Sequence, residues 1–197
     1  MHETAQQIEK LGQQTKVQVV DVSDAKQAEE ASRSARAGGF TVRAVVAAAG
    51  IVRLDSLRNP DPVSAQQMMA VNVDGVYNTL QDLVAGGSES SALIVGSTEG
   101  FKGAPALNTY CRSKAAVLGI ARAAALELGP LGVRVNTIQP GTIRTPMYQP
   151  EKMGPGACEL ATELQRRTPL RRVGQPEEVA KVARFLISAD ASYNLTS

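Results

Sequence analysis

Tyr110 and Lys114 stand four residues apart in the stretch Asn108-Thr109-Tyr110-Cys111-Arg112-Ser113-Lys114. On a helix that spacing puts both side chains on one face, about one turn from each other. An ammonium beside a phenol favours the phenolate, which predicts a tyrosine pKa drawn down from ~10 towards neutrality. Such a group is a general acid/base suited to moving a proton on or off an alcohol oxygen. Ser97, in Val95-Gly96-Ser97-Thr98-Glu99-Gly100, supplies a hydroxyl that could hold that oxygen in place. The pair gains weight from its company. Asn72 sits in Met69-Ala70-Val71-Asn72-Val73-Asp74-Gly75, Pro140-Gly141-Thr142-Ile143-Arg144-Thr145 follows an apolar run, Asp21 ends another and Gly50 closes a third.

The elements that must position these residues are legible in the hydrophobic pattern. Residues 3–12 read as helix, and 17–20 as a β-branched strand ending at Asp21. Asp24 is placed to cap a helix running to about Ala37. Residues 42–48 read as a fully buried strand ending at Gly50. A long helix is expected over 68–84, a strand over 92–95, a long helix over 108–128 stopped by Gly129-Pro130, and a strand over 133–138. Residues 150–167 read as helix within a mobile insertion, and Gln175-Pro176-Glu177-Glu178 opens a last helix reaching about Ile187. Strands alternating with helices of this length predict an α/β fold, a doubly wound parallel sheet with helices on both faces. In such a sheet ligands lie beyond the carboxyl ends of the strands, where Asp21, Gly50, Ser97 and Pro140-Gly141 all fall.

With these residues in view, the chain resembles the short-chain dehydrogenase/reductase family, of the type that includes ketoacyl reductases and polyol dehydrogenases. The resemblance runs from about Val17 to about Tyr193 and implies a Rossmann-like dinucleotide-binding domain over 1–197. It implies an NAD(P)-dependent oxidoreductase that interconverts a secondary alcohol and a ketone by hydride transfer. Tyr110 would move the proton and Ser97 would position the oxygen. Lys114 would lower the tyrosine pKa and hold the nicotinamide ribose. Asn72 would kink its helix and order a water that extends a proton relay. Asp21-Val22 resembles an adenine-reading pair. Ala47-Ala48-Ala49-Gly50 occupies the place of Asn-Asn-Ala-Gly, so that Ala48 and Gly50 would meet the adenosine ribose by backbone. Pro140, Gly141, Ile143 and Thr145 resemble a nicotinamide clamp, with the backbone of Ile143 on the carboxamide.

Composition removes other classes. The chain has 197 residues, 43% hydrophobic and 20% charged, with net charge +2, so it carries no basic footprint for nucleic acid. His2 is the single histidine, which excludes a Ser-His-Asp triad. Cys111 and Cys158 lack the spacing of a metal site or a disulfide framework, and no metal is expected. The longest apolar run, 44–52, is too short to span a bilayer, and no signal sequence opens the chain, so a cytoplasmic protein without membrane contact is expected.

The chain departs from the family at both ends. No Gly-rich phosphate turn precedes residue 17, so the first βαβ unit is expected to be lacking, and the last strand with it. The choice between NAD and NADP is lost with that segment. The substrate is not readable beyond a small-molecule alcohol or ketone, its determinants falling in about 146–169. The resemblance also implies a homo-dimer or homo-tetramer through the helices over 68–84 and 108–128. A second reading stands beside the enzyme: a catalytically inactive family member acting as a binding or oligomerisation module.

Overall fold

The computed structural model describes residues 2–84, 90–148 and 157–194. Helix α1 (His2–Lys10) leads into an irregular stretch and then α2 (Ala25–Ala37). Asp24 caps α2 as the sequence predicts, its carboxylate accepting from the Lys26 and Gln27 N–H groups. Strand β1 (Ala44–Ala47) is followed by α3 (Pro62–Met69), a π-helical turn over Ala70–Asp74, and α4 (Gly75–Val84). The chain continues through β2 (Ser91–Val95), the short α5 (Glu99–Lys102), α6 (Asn108–Leu128) and β3 (Arg134–Ile138). Helices α7 (Ala157–Arg167) and α8 (Pro176–Ile187) complete the described chain. The expected helix over 150–167 is seen from 157 onward, and its first residues lie outside the described ones.

The three strands are parallel in the order β1-β2-β3, with Val46 beside Leu93 and Ile94 beside Thr137. Their parallel pairing requires the helical crossovers that the alternating pattern anticipates. Ala47, Ala92, Ile94, Val133 and Val135 turn one face of the sheet to Val76 and Leu80 of α4 and to Val117, Ala121, Ala125 and Leu128 of α6. Helix α8 packs on β2 and β3. Each fully buried Val, Leu or Ile in this layer contributes about 1.5–3 kcal/mol, which makes the packing of α4 and α6 side by side on one face of the sheet the body of the fold.

One expected strand does not form. Residues 17–20 adopt no regular structure and pair with no strand among the described residues, and Val19 is 88% exposed. A β-branched run becomes a strand only where a neighbour accepts its ladder, and among the described residues no strand lies beside it. The segment rests instead on helices: Gln18 Nε2 donates to Ala31 O at 3.4 Å, and Asn78 Nδ2 to Val22 O at 2.9 Å. The helix expected over 68–84 also differs, since it begins at Pro62 and is interrupted by the π turn that carries Asn72.

The amino end of the sheet is tied by a single cation. Arg134, at the start of β3, donates from Nη1 to Leu186 O (2.8 Å) and Ala191 O (2.9 Å), and from Nη2 to Ser188 O (2.9 Å). It thereby covers the orphan carbonyls at the C-terminus of α8, where a cation is favoured by the helix dipole. Arg134→Met keeps the stem and removes these bonds; it is expected to lower unfolding stability by about 2–4 kcal/mol in urea titration, given about 1.5–3 kcal/mol for a charge-assisted bond with partial compensation by water.

Candidate active site

Helix α6 carries Tyr110 and Lys114 and is fixed at its N-terminus from outside. Its own cap residue, Leu107, offers no side-chain acceptor. Asp55 takes that place from a distant loop: its carboxylate accepts from Thr109 N (3.2 and 3.0 Å) and from Thr109 Oγ1 (2.7 Å). A carboxylate there also meets the positive end of the helix dipole. Tyr110 is the next residue, and Lys114 follows one turn later.

Ser97 is buried at the carboxyl end of β2, its Oγ accepting from Glu99 N at 3.2 Å, and it lies near enough to the Tyr110 phenol to favour the phenolate. The ammonium of Lys114 lies 5.7 Å from the centroid of the Tyr110 ring. It is 6% exposed and donates to Val95 O at 2.9 Å. Asn72 is fully buried in the π turn and ties three segments together. Its Oδ1 accepts from Ile51 N (2.8 Å), while its Nδ2 donates to Ile51 O (2.9 Å) and to Ser113 Oγ (3.0 Å). Ser113 Oγ in turn donates to Tyr110 O at 2.8 Å. Gly50 closes this cluster: a Cβ built there would stand 3.4 Å from Asn72 Oδ1 and 3.7 Å from Lys114 Nζ. Gly50, Asn72, Ser97, Tyr110 and Lys114, drawn from four elements, therefore meet at one end of the sheet.

The electrostatics correct the sequence expectation. The Tyr110 pKa is raised: burial is the largest cause, the Ser97 hydrogen bond works against it, and the nearby carboxylate of Glu99 adds to the rise. Lys114 does not draw the phenol down, because its ammonium is itself desolvated and engaged on Val95 O. Burial lowers the Lys114 pKa to about 8. Both groups are thus pushed towards their uncharged forms.

The residues at the other strand ends are placed less tightly. Ala48 is exposed just beyond β1. Asp21 is exposed, and its Oδ1 is satisfied locally by Ser23 N (2.9 Å) and Ser23 Oγ (2.7 Å). Val22 packs on α4 beside Gly75. Beyond β3, Pro140 O accepts from Thr98 N at 3.1 Å, which joins the proline to the Ser97 loop. Ile143 bridges Gly174 in parallel through Arg144 N to Gly174 O (2.9 Å) and Gly174 N to Thr142 O (3.0 Å). That pattern leaves the N–H and C=O of Ile143 itself outside the bridge. Gly141 is exposed, and Thr145 O accepts from Tyr148 N at 2.9 Å.

Three contributors escape the sequence reading. Asp55 caps from 54 positions away, and no local signal announces it. Ser113 was in view within the Tyr110 stretch, three residues after the tyrosine on the same helix. Gln139 accepts the Ser97 N–H on Oε1 at 2.8 Å; its position between a strand and Pro140-Gly141 was the available clue. Among the described residues no group of three or more His, Cys, Asp or Glu could hold a metal, and no helix is long and apolar enough to cross a membrane.

Comparison with known proteins places this arrangement. A family profile described as enoyl-(acyl carrier protein) reductase matches residues 1–196. The rat (3R)-3-hydroxyacyl-CoA dehydrogenase is 36% identical over 155 residues, covering 76% of this chain and 57% of the relative, so the match spans just over half of that protein's length. A 3-oxoacyl-[acyl-carrier-protein] reductase of Thermotoga maritima is 35% identical over 178 residues, covering 89% of this chain and 70% of the relative. The crystal structure of a gluconate 5-dehydrogenase from Burkholderia cenocepacia in complex with NADP and tartrate superposes with a TM-score of 0.88 at 25% identity, covering 98% of this chain and 76% of that one. The chain belongs to the short-chain dehydrogenase/reductase family.

Proposed function

We propose that the protein is an NAD(P)-dependent oxidoreductase that interconverts a secondary alcohol and a ketone, with Tyr110 as the general acid/base. The observation that carries this reading is the meeting of buried Ser97 and buried Lys114 around Tyr110, with the ammonium 5.7 Å from the tyrosine ring. The names of two relatives, a 3-hydroxyacyl dehydrogenase and a 3-oxoacyl reductase, give a hydroxyl and an oxo group at one carbon. Both fit a site that handles a proton on an oxygen.

The residues present suit the nicotinamide end of a dinucleotide. Gly50 leaves a cradle that a Cβ would fill beside Asn72 and Lys114. Gly141 and the free backbone of Ile143 supply the other wall, with Pro140 and Thr145 shaping it. Ala48, Asp21 and Val22 extend the reading towards the adenosine end. When bound, the dinucleotide supplies the hydride. Ser97 holds the substrate oxygen and stabilises charge on it. Tyr110 gives its proton to that oxygen in reduction, or takes it in oxidation. Lys114, an ammonium below pH 8, would hold the ribose, while Asn72 anchors the backbone that carries both.

A phenol pushed above its usual value keeps its proton across neutral pH, the form that reduction needs. Ketone reduction, followed by NADH or NADPH absorbance with acetoacetyl-CoA as the probe, is expected to persist through neutral pH, whereas alcohol oxidation rises with pH as the phenolate forms. Tyr110→Phe is expected to lower turnover by about 10²–10⁴-fold while sparing dinucleotide binding by fluorescence. Unchanged turnover would refute the assignment.

The burial of Lys114 also makes a thermodynamic prediction. Its folded pKa of about 8 lies below the ordinary lysine value of 10.5, so holding the ammonium opposes folding at neutral pH by about 3 kcal/mol. That opposition is complete below pH 8 and fades as pH rises towards 10.5, where the unfolded chain loses its proton too. Lys114→Met is expected to be more stable than the parent in urea at pH 7, by about 1–3 kcal/mol after loss of the Val95 bond, with the gain vanishing by pH 10.5.

The reading extends to assembly. Tyr77 on α4 and Leu126 on α6 are 54% and 81% exposed, and a second copy packed on these helices would cover them. Sedimentation equilibrium is expected to give a dimer or tetramer, and a monomer at micromolar concentration would count against it.

A further inference from the structure

Gln139 is the last residue before Pro140, at the carboxyl end of β3. The β2–β3 register sets Ile94 beside Thr137, so two residues on, Gly96 falls beside Gln139 on the face that α6 covers. The carboxamide of Gln139 lies directly over Gly96: a Cβ there would stand 2.2 Å from Oε1, 2.5 Å from Nε2 and 2.6 Å from Cδ. Oε1 accepts the Ser97 N–H at 2.8 Å. Nε2 is buried without a hydrogen-bond partner. A buried amide that leaves its donor unmet is poorly suited to stability alone, and such groups gather where a site needs them.

We propose that Gln139 is a positioning residue for Ser97: its amide, laid across Gly96, fixes the serine backbone so that the hydroxyl meets the Tyr110 phenol. The absence of a side chain at Gly96 is the condition for this, since any Cβ would push the amide off. The inference rests on the oxidoreductase reading for its catalytic consequence. Its structural part, that Gln139 controls the Ser97–Tyr110 contact, stands apart from turnover.

The test uses Gln139→Leu, Gly96→Ala and the double variant in the full chain. The Tyr110 phenol is titrated by difference absorbance, each protein against its own Tyr110→Phe counterpart. Loss of the Ser97 contact removes the interaction that holds the phenol down, so the Tyr110 midpoint is expected to rise in Gln139→Leu. In acetoacetyl-CoA reduction kcat is expected to fall about tenfold with KM unchanged, the effect of one hydrogen bond in the transition state. Gly96→Ala is expected to act in the same direction, because the amide at the end of a flexible side chain can yield to the methyl. The double variant is expected to be no worse than either single one, since no amide remains to displace. An unmoved Tyr110 midpoint in Gln139→Leu, or additive losses in the double variant, would overturn the proposal. A fall in melting temperature with the midpoint unmoved would assign Gln139 a purely structural role and overturn it equally. Absence of any acetoacetyl-CoA reduction by the parent protein would remove the oxidoreductase reading, while the phenol midpoint would still decide the role of Gln139.

Discussion

A buried ammonium must be met by acceptors or lose its proton, and the site is arranged around the way Lys114 is met. Its Nζ reaches the carbonyl of Val95, the last residue of β2, and so spans from helix to sheet. That bond can form only if α6 crosses the sheet at a fixed height. Asp55 sets the height by gripping Thr109 at the first turn, and Asn72 holds it by reaching Ser113. The π turn at Ala70–Asp74 is the local distortion that brings Asn72 inward. The helix that carries Tyr110 and Lys114 is therefore clamped at two points by residues that come earlier in the chain, and the positions of the phenol and the ammonium are consequences of those clamps.

Burial then decides the electrostatics. A tyrosine and a lysine one turn apart on an exposed helix would each favour the other's charged form, lowering the phenol and raising the amine. Inside this site the low dielectric acts on both groups first, raising the phenol and lowering the amine. Glu99, at the start of α5, adds a negative field at the same phenol. The result keeps the proton on Tyr110 and the charge on Lys114 at neutral pH, a pairing suited to proton donation.

Much of this was legible from residue order alone. The cap at Asp24, the two long helices and three strands follow from periodicity and punctuation, which are local, although β1 is shorter than the fully buried strand expected over 42–48 and leaves Val46 45% exposed. The cluster of Asn72, Ser97, Tyr110 and Lys114 was legible because their spacing is a family pattern. What escaped is non-local. The segment 17–20 has the composition of a strand, yet a strand is a property of two segments, and its ladder finds no partner among the described residues. Asp55 caps a helix that begins more than fifty positions later, so its role exists only in the folded chain. The sign of the Tyr110 shift escaped for the same reason, since spacing gives the neighbour but not the depth.

The two ends of the sheet show opposite ways of treating polar groups. At the amino end, Arg134 satisfies two carbonyls at the close of α8 and that of Ala191 in the turn beyond it, Asn136 Nδ2 donates to Asn194 O at 2.8 Å, and Ser91 Oγ reaches Leu186 O at 3.4 Å. Ser90 Oγ is the exception there, buried and unmatched. At the carboxyl end, a lysine is held against its solvation, a phenol is desolvated, and an amide donor is left unmet. A protein built for stability alone would spread such unfavourable placements or remove them. Lys114, Tyr110 and Gln139 meet at the end where parallel sheets bind ligands, which supports reading that end as the candidate site.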